Sequence, residues 1–288
     1  MFKSNCPQKI LLSALSGAVL VSLATPPMVA ADEEPIPTLE YGEIKGGRIA
    51  YTFMPNTKIE PSTQAASSKV LTSLRPGTSV QVVEKLTKNA TVDGFEDFFY
   101  KVKIAPQPGV AAPVTGTIWG GYLSKSAIPQ GKAMLILAIS GKRKDKVEKN
   151  AKAILIENGN VLSEASFEPI ELAESHTYSY TISASKFSSD GFAGKPPITK
   201  FRFEYGACDY PFGDVLISTA GNKVRFLLEE VDSGNETGGT SHEFVLPGQK
   251  GGAKNKLIVV RTTENIEEKK KQTTRKVYQW NGMKFVAI

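Results

Sequence analysis

The chain is poor in the residues that most often carry chemistry. It has two cysteines and two histidines in 288 residues. Cys6 lies in an N-terminal stretch with the marks of a cleavable export signal, so a mature chain keeps Cys208 alone and can form no intrachain disulfide. His176 and His242 stand far apart, with no H-x-H or H-E-x-x-H spacing, which gives no support for zinc. There is no G-x-S-x-G step and no phosphate-binding glycine loop. No later run is long and apolar enough to suggest a membrane span. Neither a metal nor a cofactor is expected, and no catalytic constellation is found.

The export signal itself is legible. Lys3 and Lys9 form a basic start, and residues 10–24 are a small-residue apolar run diluted by Ser13, Ser16, Gly17 and Ser22. Val29-Ala30-Ala31 before Asp32 is an A-x-A-like cleavage step, so residues 1–31 are read as a signal peptide and the protein as periplasmic or secreted. Losing the two lysines lowers the formal charge from +6 to +4, too little to argue for nucleic acid. Residues 32–41 open with DEEPIPT, acidic and twice broken by proline, and read as a flexible leader.

What the chain does have is alternation. Residues 67–85, SSKVLTSLRPGTSVQVVEK, set Val70, Leu71 and Leu74 before Pro76-Gly77 and Val80, Val82 and Val83 after it, a strand-turn-strand signal. FFYKVKIA follows over 98–105, then a Pro/Gly-rich loop, then VTGTIWGGYL over 114–123. Leu74, Gly77, Val80, Val82, Tyr100, Lys101, Val102, Gly116, Ile118, Trp119 and Tyr122 stand where a bacterial SH3 domain has its pattern residues, and residues 42–128 resemble that family. The family's opening Val-Arg-x-x-Pro step is replaced here by IAYTFMPNTKIEPS from Ile49. The resemblance implies a small β-barrel appended to an envelope protein. Aromatic grooves in related folds bind extended peptides, so Tyr100, Trp119 and Tyr122 are the candidate ligand-binding residues. The other role open to these rings is to close the barrel ends.

Pro129-Gln130-Gly131 (129–131) reads as a linker and residues 132–288 as a second, larger all-β region. AMLILAI over 133–139 has the length of a strand buried on both faces. Residues 177–183 alternate Tyr178, Tyr180 and Ile182 with hydroxyl residues, and 200–205 alternate Phe201, Phe203 and Tyr205 with Lys200, Arg202 and Glu204. Both predict antiparallel strands with one face on the core and one in water. Residues 147–156 suit a helix or a strand into a turn. Asn281-Gly282 predicts a two-residue type I′ hairpin. The spacing suits a β-sandwich or a curved sheet.

Cys208 with His176 or His242 is the pair a thiol hydrolase would need. Pro211 and Gly213 oppose a helix there, so no helix dipole would activate the thiol. Asp232 to Gly239 (232–239) offers oxygen ligands without the EF-hand spacing. Glu204, Asp209 and Asp214 are acids near one aromatic strand, and the basic runs 142–146 and 269–271 read as solvated turns. The function expected is therefore a non-catalytic exported binding protein, its SH3-like module contacting cell-wall peptide or an envelope protein. The alternatives are a cell-wall hydrolase centred on Cys208, or a structural protein of envelope assembly.

Overall fold

The computed structural model describes residues 44–61, 71–92, 95–144, 146–167, 180–205, 212–235 and 237–288. The expected signal peptide, the leader, His176 and Cys208 lie outside them. Among the described residues every long element is a strand and there is no α-helix, so the fold is all-β. No helix among them is long and apolar enough to cross a membrane.

The first region holds β1 (Ile49–Tyr51), β2 (Thr57–Ile59), β3 (Thr72–Leu74), β4 (Ser79–Val92), β5 (Phe95–Ile104) and β6 (Val114–Trp119). β1, β4, β5 and β6 form an antiparallel sheet in the order β1-β4-β5-β6, and β2 pairs with β3 alone. The Pro76-Gly77 turn is present, with Gly77 at φ 78°, where a side chain would be strained. It separates two strands that pair elsewhere rather than with each other. The expected small barrel does not close. β2 and β3 are three residues each, too short to bridge the sheet, and Glu60 with Thr117 gives one isolated bridge. Ile59, Leu74, Val82, Tyr100, Val102 and Ile118 still share one core.

A second sheet follows, in the order β10-β9-β8-β7: β7 (Ser126–Gln130), β8 (Ala133–Lys144), β9 (Lys146–Glu157) and β10 (Asn160–Phe167). Residues 129–131, read from the sequence as a linker, are the end of β7 and its hairpin turn. Pro129 pairs with Met134, and Gly131 takes φ 64°. The apolar run of β8 is buried on both faces, as its composition predicts. Leu135, Leu137 and Ile139 belong to one cluster and Ile136 and Ala138 to another. The segment 147–156 is a strand, and Asn158-Gly159 (φ 51° and 82°) is its tight turn.

The third sheet is an eight-stranded meander: β11 (Tyr180–Phe187), β12 (Ile198–Tyr205), β13 (Phe212–Ser218), β14 (Arg225–Asn235), β15 (Gly238–Val245), β16 (Lys256–Asn265), β17 (Lys270–Trp280) and β18 (Phe285–Ala287). It turns a corner at β14, whose residues up to Asp232 pair with β13 while only Ser233, Gly234 and Asn235 pair with β15. The β11–β14 half is thereby the middle of three layers. Phe201, Phe203, Val215 and Ile217 pack on Leu135, Leu137 and Leu155 of the second sheet. Ile198, Leu216 and Leu228 pack on Leu257, Val259, Trp280 and Phe285 across the corner. Two expectations change here. Lys200 and Arg202 were expected in water, but both are half-buried and each meets Asp214 of the neighbouring strand. The β17–β18 loop spans four residues, not two. The Asn281 carboxamide oxygen accepts from the amides of Met283 and Lys284, and Gly282 alone takes positive φ.

Candidate functional site

The candidate rings do not line a common groove. Tyr100 sits at a core position of β5 and is 1% exposed. Its hydroxyl lies 3.5 Å from the Ile44 amide, from which it accepts. Trp119 ends β6, buried, and its indole N–H is shared between the carbonyls of Ala90 and Asp97, each at 3.0 Å. Tyr122, in the 3-10 turn Gly120–Tyr122, meets the indole edge-on at 4.9 Å and is half-buried. A Cβ on Gly121 would overlap the indole, so only glycine lets the turn lie on Trp119. Phe95 and Trp119 belong to the same cluster as Leu135 and Leu155, which makes them a joint between the first two sheets. Beside that joint the Lys125 ammonium, buried, donates to Asp97 at 2.7 Å.

A different surface feature lies where three sheets meet. A cleft of about 390 Å³ is lined by Arg48, Ile49 and Tyr51 at β1, by 124–127 at β7, and by Ile182, Ser183 and Ala184 of β11. Each of these strands is an edge of its own sheet. β1 is phased by its flanks, where Arg48 accepts from Val82 of β4 and Thr52 donates to Thr78 just before β4, so the backbone N–H and C=O of Ile49 point away from β4. Tyr51 faces the same way, and its groups are satisfied by the side chain and amide of Ser124. The lining carries two cations and no acid. Lys125 is neutralised by Asp97, whereas exposed Arg48 has no carboxylate partner among the described residues.

No family model matches the chain, and no curated protein or solved structure matches it. The site is therefore read from its own chemistry.

The strongest electrostatic feature is buried at the corner of the third sheet. The His242 side chain is 1% exposed, with Nδ1 at 2.6 Å from Asp232 and Nε2 at 3.1 Å from Asp214. Ionised carboxylates only accept, so both ring nitrogens must donate and the ring is an imidazolium. Burial works against that charge, but the hydrogen bonds and charges of Asp214 and Asp232 outweigh it and raise the pKa to about 9. Burial likewise opposes ionisation of Asp214, yet His242, Arg202 and Lys200 hold its pKa below the usual range. Beside it Arg261 donates to Glu230 at 2.6 Å. The Tyr278 hydroxyl donates to the same carboxylate at 3.4 Å, and its pKa is raised by burial and then by that charge.

This network fixes what the sequence left open about His242. With both nitrogens held by carboxylates, the ring has no lone pair with which to activate a thiol. Asp232, read as part of an oxygen-rich loop, points inward to the histidine, and Glu204 is exposed beside Arg202 rather than paired with Asp214 for acid–base work. No group of three or more His, Cys, Asp or Glu among the described residues is placed to hold a metal. The network left one trace in the sequence: acids and bases on alternate positions of aromatic strands. That trace is the same whether the polar face meets water or another sheet.

Proposed function

We propose that the protein is an exported, non-catalytic binding protein of the cell envelope, and that it holds an extended, carboxylate-bearing peptide in the cleft between β1, β7 and β11. The observation that carries this reading is the convergence of three sheet edges on one cleft. There the backbone donor and acceptor of Ile49 face away from β4, beside Arg48, which has no carboxylate partner among the described residues. Edge strands with free backbone groups take extended peptides by strand addition, and a guanidinium supplies a fork for a carboxylate. The export signal read in residues 1–31 of the sequence supports placement in the envelope, and the full engagement of His242 leaves that ring unable to act as the base for a thiol. The first region keeps its expected role as the binding module, with the contact moved from its rings to its edge.

The test is a pull-down of wall sacculi, and of short carboxylate-ended peptides, with the mature protein. Arg48→Glu and Ser183→Trp, both at exposed cleft positions, are expected to weaken binding about tenfold, or about 1.4 kcal/mol, without moving the thermal midpoint. Unchanged binding in both folded variants would refute the cleft.

A further inference from the structure

β17 carries a second open edge, independent of the cleft. Lys270 to Lys276 (270–276) are all exposed, and β18 pairs with β17 only at Tyr278, Gln279 and Trp280. Among the described residues no strand pairs with the outer edge before Val277, whose carbonyl accepts from Ile288. That bond, with the Trp280 amide reaching back to Asn255, sets the phase of the strand. Even-numbered residues bond toward β16. The backbone N–H and C=O of Lys271, Thr273 and Arg275 point outward.

The charges on this edge have one sign. Lys269, Lys270, Lys271, Arg275 and Lys276 are exposed, and residues 269–276 contain no acid. Alternation puts Lys270 and Lys276 on one face of the strand and Lys271 and Arg275 on the other. The nearby carboxylates are Glu267 and Glu268 in the turn before the strand, the latter paired with Lys270 at 2.7 Å, and Glu264, opposite Lys271 in register. Lysines, bulges and prolines also protect edges from unwanted pairing. This edge has no bulge against β16 and no proline, and its cations flank the open backbone row on both faces.

We propose that the outer edge of β17 docks an acidic extended peptide segment by strand addition, with Glu or Asp side chains on both faces of the added strand. The backbone row is the reason to prefer a peptide over an anionic lipid or polymer, which would meet the cations and leave the amides unused. A labelled short Glu/Thr peptide, titrated at low and at physiological salt, is the probe. Binding by the intact protein is expected, weakened about tenfold by Lys271→Glu with Arg275→Glu. Thr273→Pro removes only an outward donor, which an edge strand tolerates, and is expected to weaken binding to a similar extent with the charges intact. Peptide should also slow amide exchange at Lys271, Thr273 and Arg275 in the unmutated protein, a readout that needs no variant to fold. Failure of the peptide to bind, or binding that leaves those amides unprotected, overturns the proposal. So does equal affinity of Thr273→Pro, or equal affinity for anionic vesicles with the same indifference to Thr273→Pro, since the edge would then be a plain polycation.

Discussion

Two of the molecule's internal joints are built on opposite principles. Where the first region meets the second sheet, Phe95, Trp119 and Leu135 exclude water, and a buried ion pair, Asp97 with Lys125, stands at the margin. Where the third sheet folds on itself, apolar packing of Leu216, Leu257 and Trp280 is joined by a row of ions from Lys200 to Arg261. An apolar joint depends on volume and is insensitive to pH. An ionic joint in a low-dielectric interior depends on each partner keeping its charge, because a lone buried ion costs several kcal/mol.

Cutting the apolar joint should have the largest effect. A fragment ending at residue 130 leaves Phe95 and Trp119 without Leu135 and Leu155, and is expected to lose its cooperative denaturant transition. A sharp two-state transition in that fragment would make the joint dispensable. Trp119→Ala in the intact chain should cost about 3–5 kcal/mol through the cavity and the two orphaned carbonyls, measured by urea unfolding. At the other joint, Asp232→Ala leaves the imidazolium half-partnered and should cost about 3 kcal/mol.

The pH dependence separates the joints most cleanly. His242 has its pKa raised from 6.5 to about 9, so its contribution is complete below pH 6.5 and is lost as pH rises through about 9. Its size is on the order of 3 kcal/mol. Asp214 is depressed, so its contribution is present above about pH 3.8 and is lost as pH falls through the lowered value. Stability should therefore be highest between about pH 4 and 6.5 and decline toward pH 9. Asp232→Ala should flatten the alkaline limb while Trp119→Ala leaves its slope unchanged. The smallest effect belongs to the surface. Lys101 and Glu84 are 3.2 Å apart but exposed, and Lys101→Ala should cost less than about 1 kcal/mol.

The sequence alone determined the all-β class and the most strongly patterned strands, because alternation and continuous apolar runs record burial residue by residue. β8 reads as buried on both faces from Leu135 to Ile139, and it is. Asn281-Gly282 marked a turn but not its length, since the Asn281 side chain competes with the tight form by capping two amides. What only the tertiary structure decided was which polar faces are wet. Lys200 and Arg202 alternate as a solvated face would, and the bend at β14 brings His242 onto Asp214 and Asp232 beside them. The same holds for the aromatic residues. The sequence shows that Tyr100 and Trp119 are large and amphipathic, but only the packing puts Tyr100 in the core of the first region and makes Trp119 part of a joint between sheets. The cleft and the β17 edge were likewise invisible, because an unpaired backbone group has no signature in side-chain order. It exists only once the strands have chosen their neighbours.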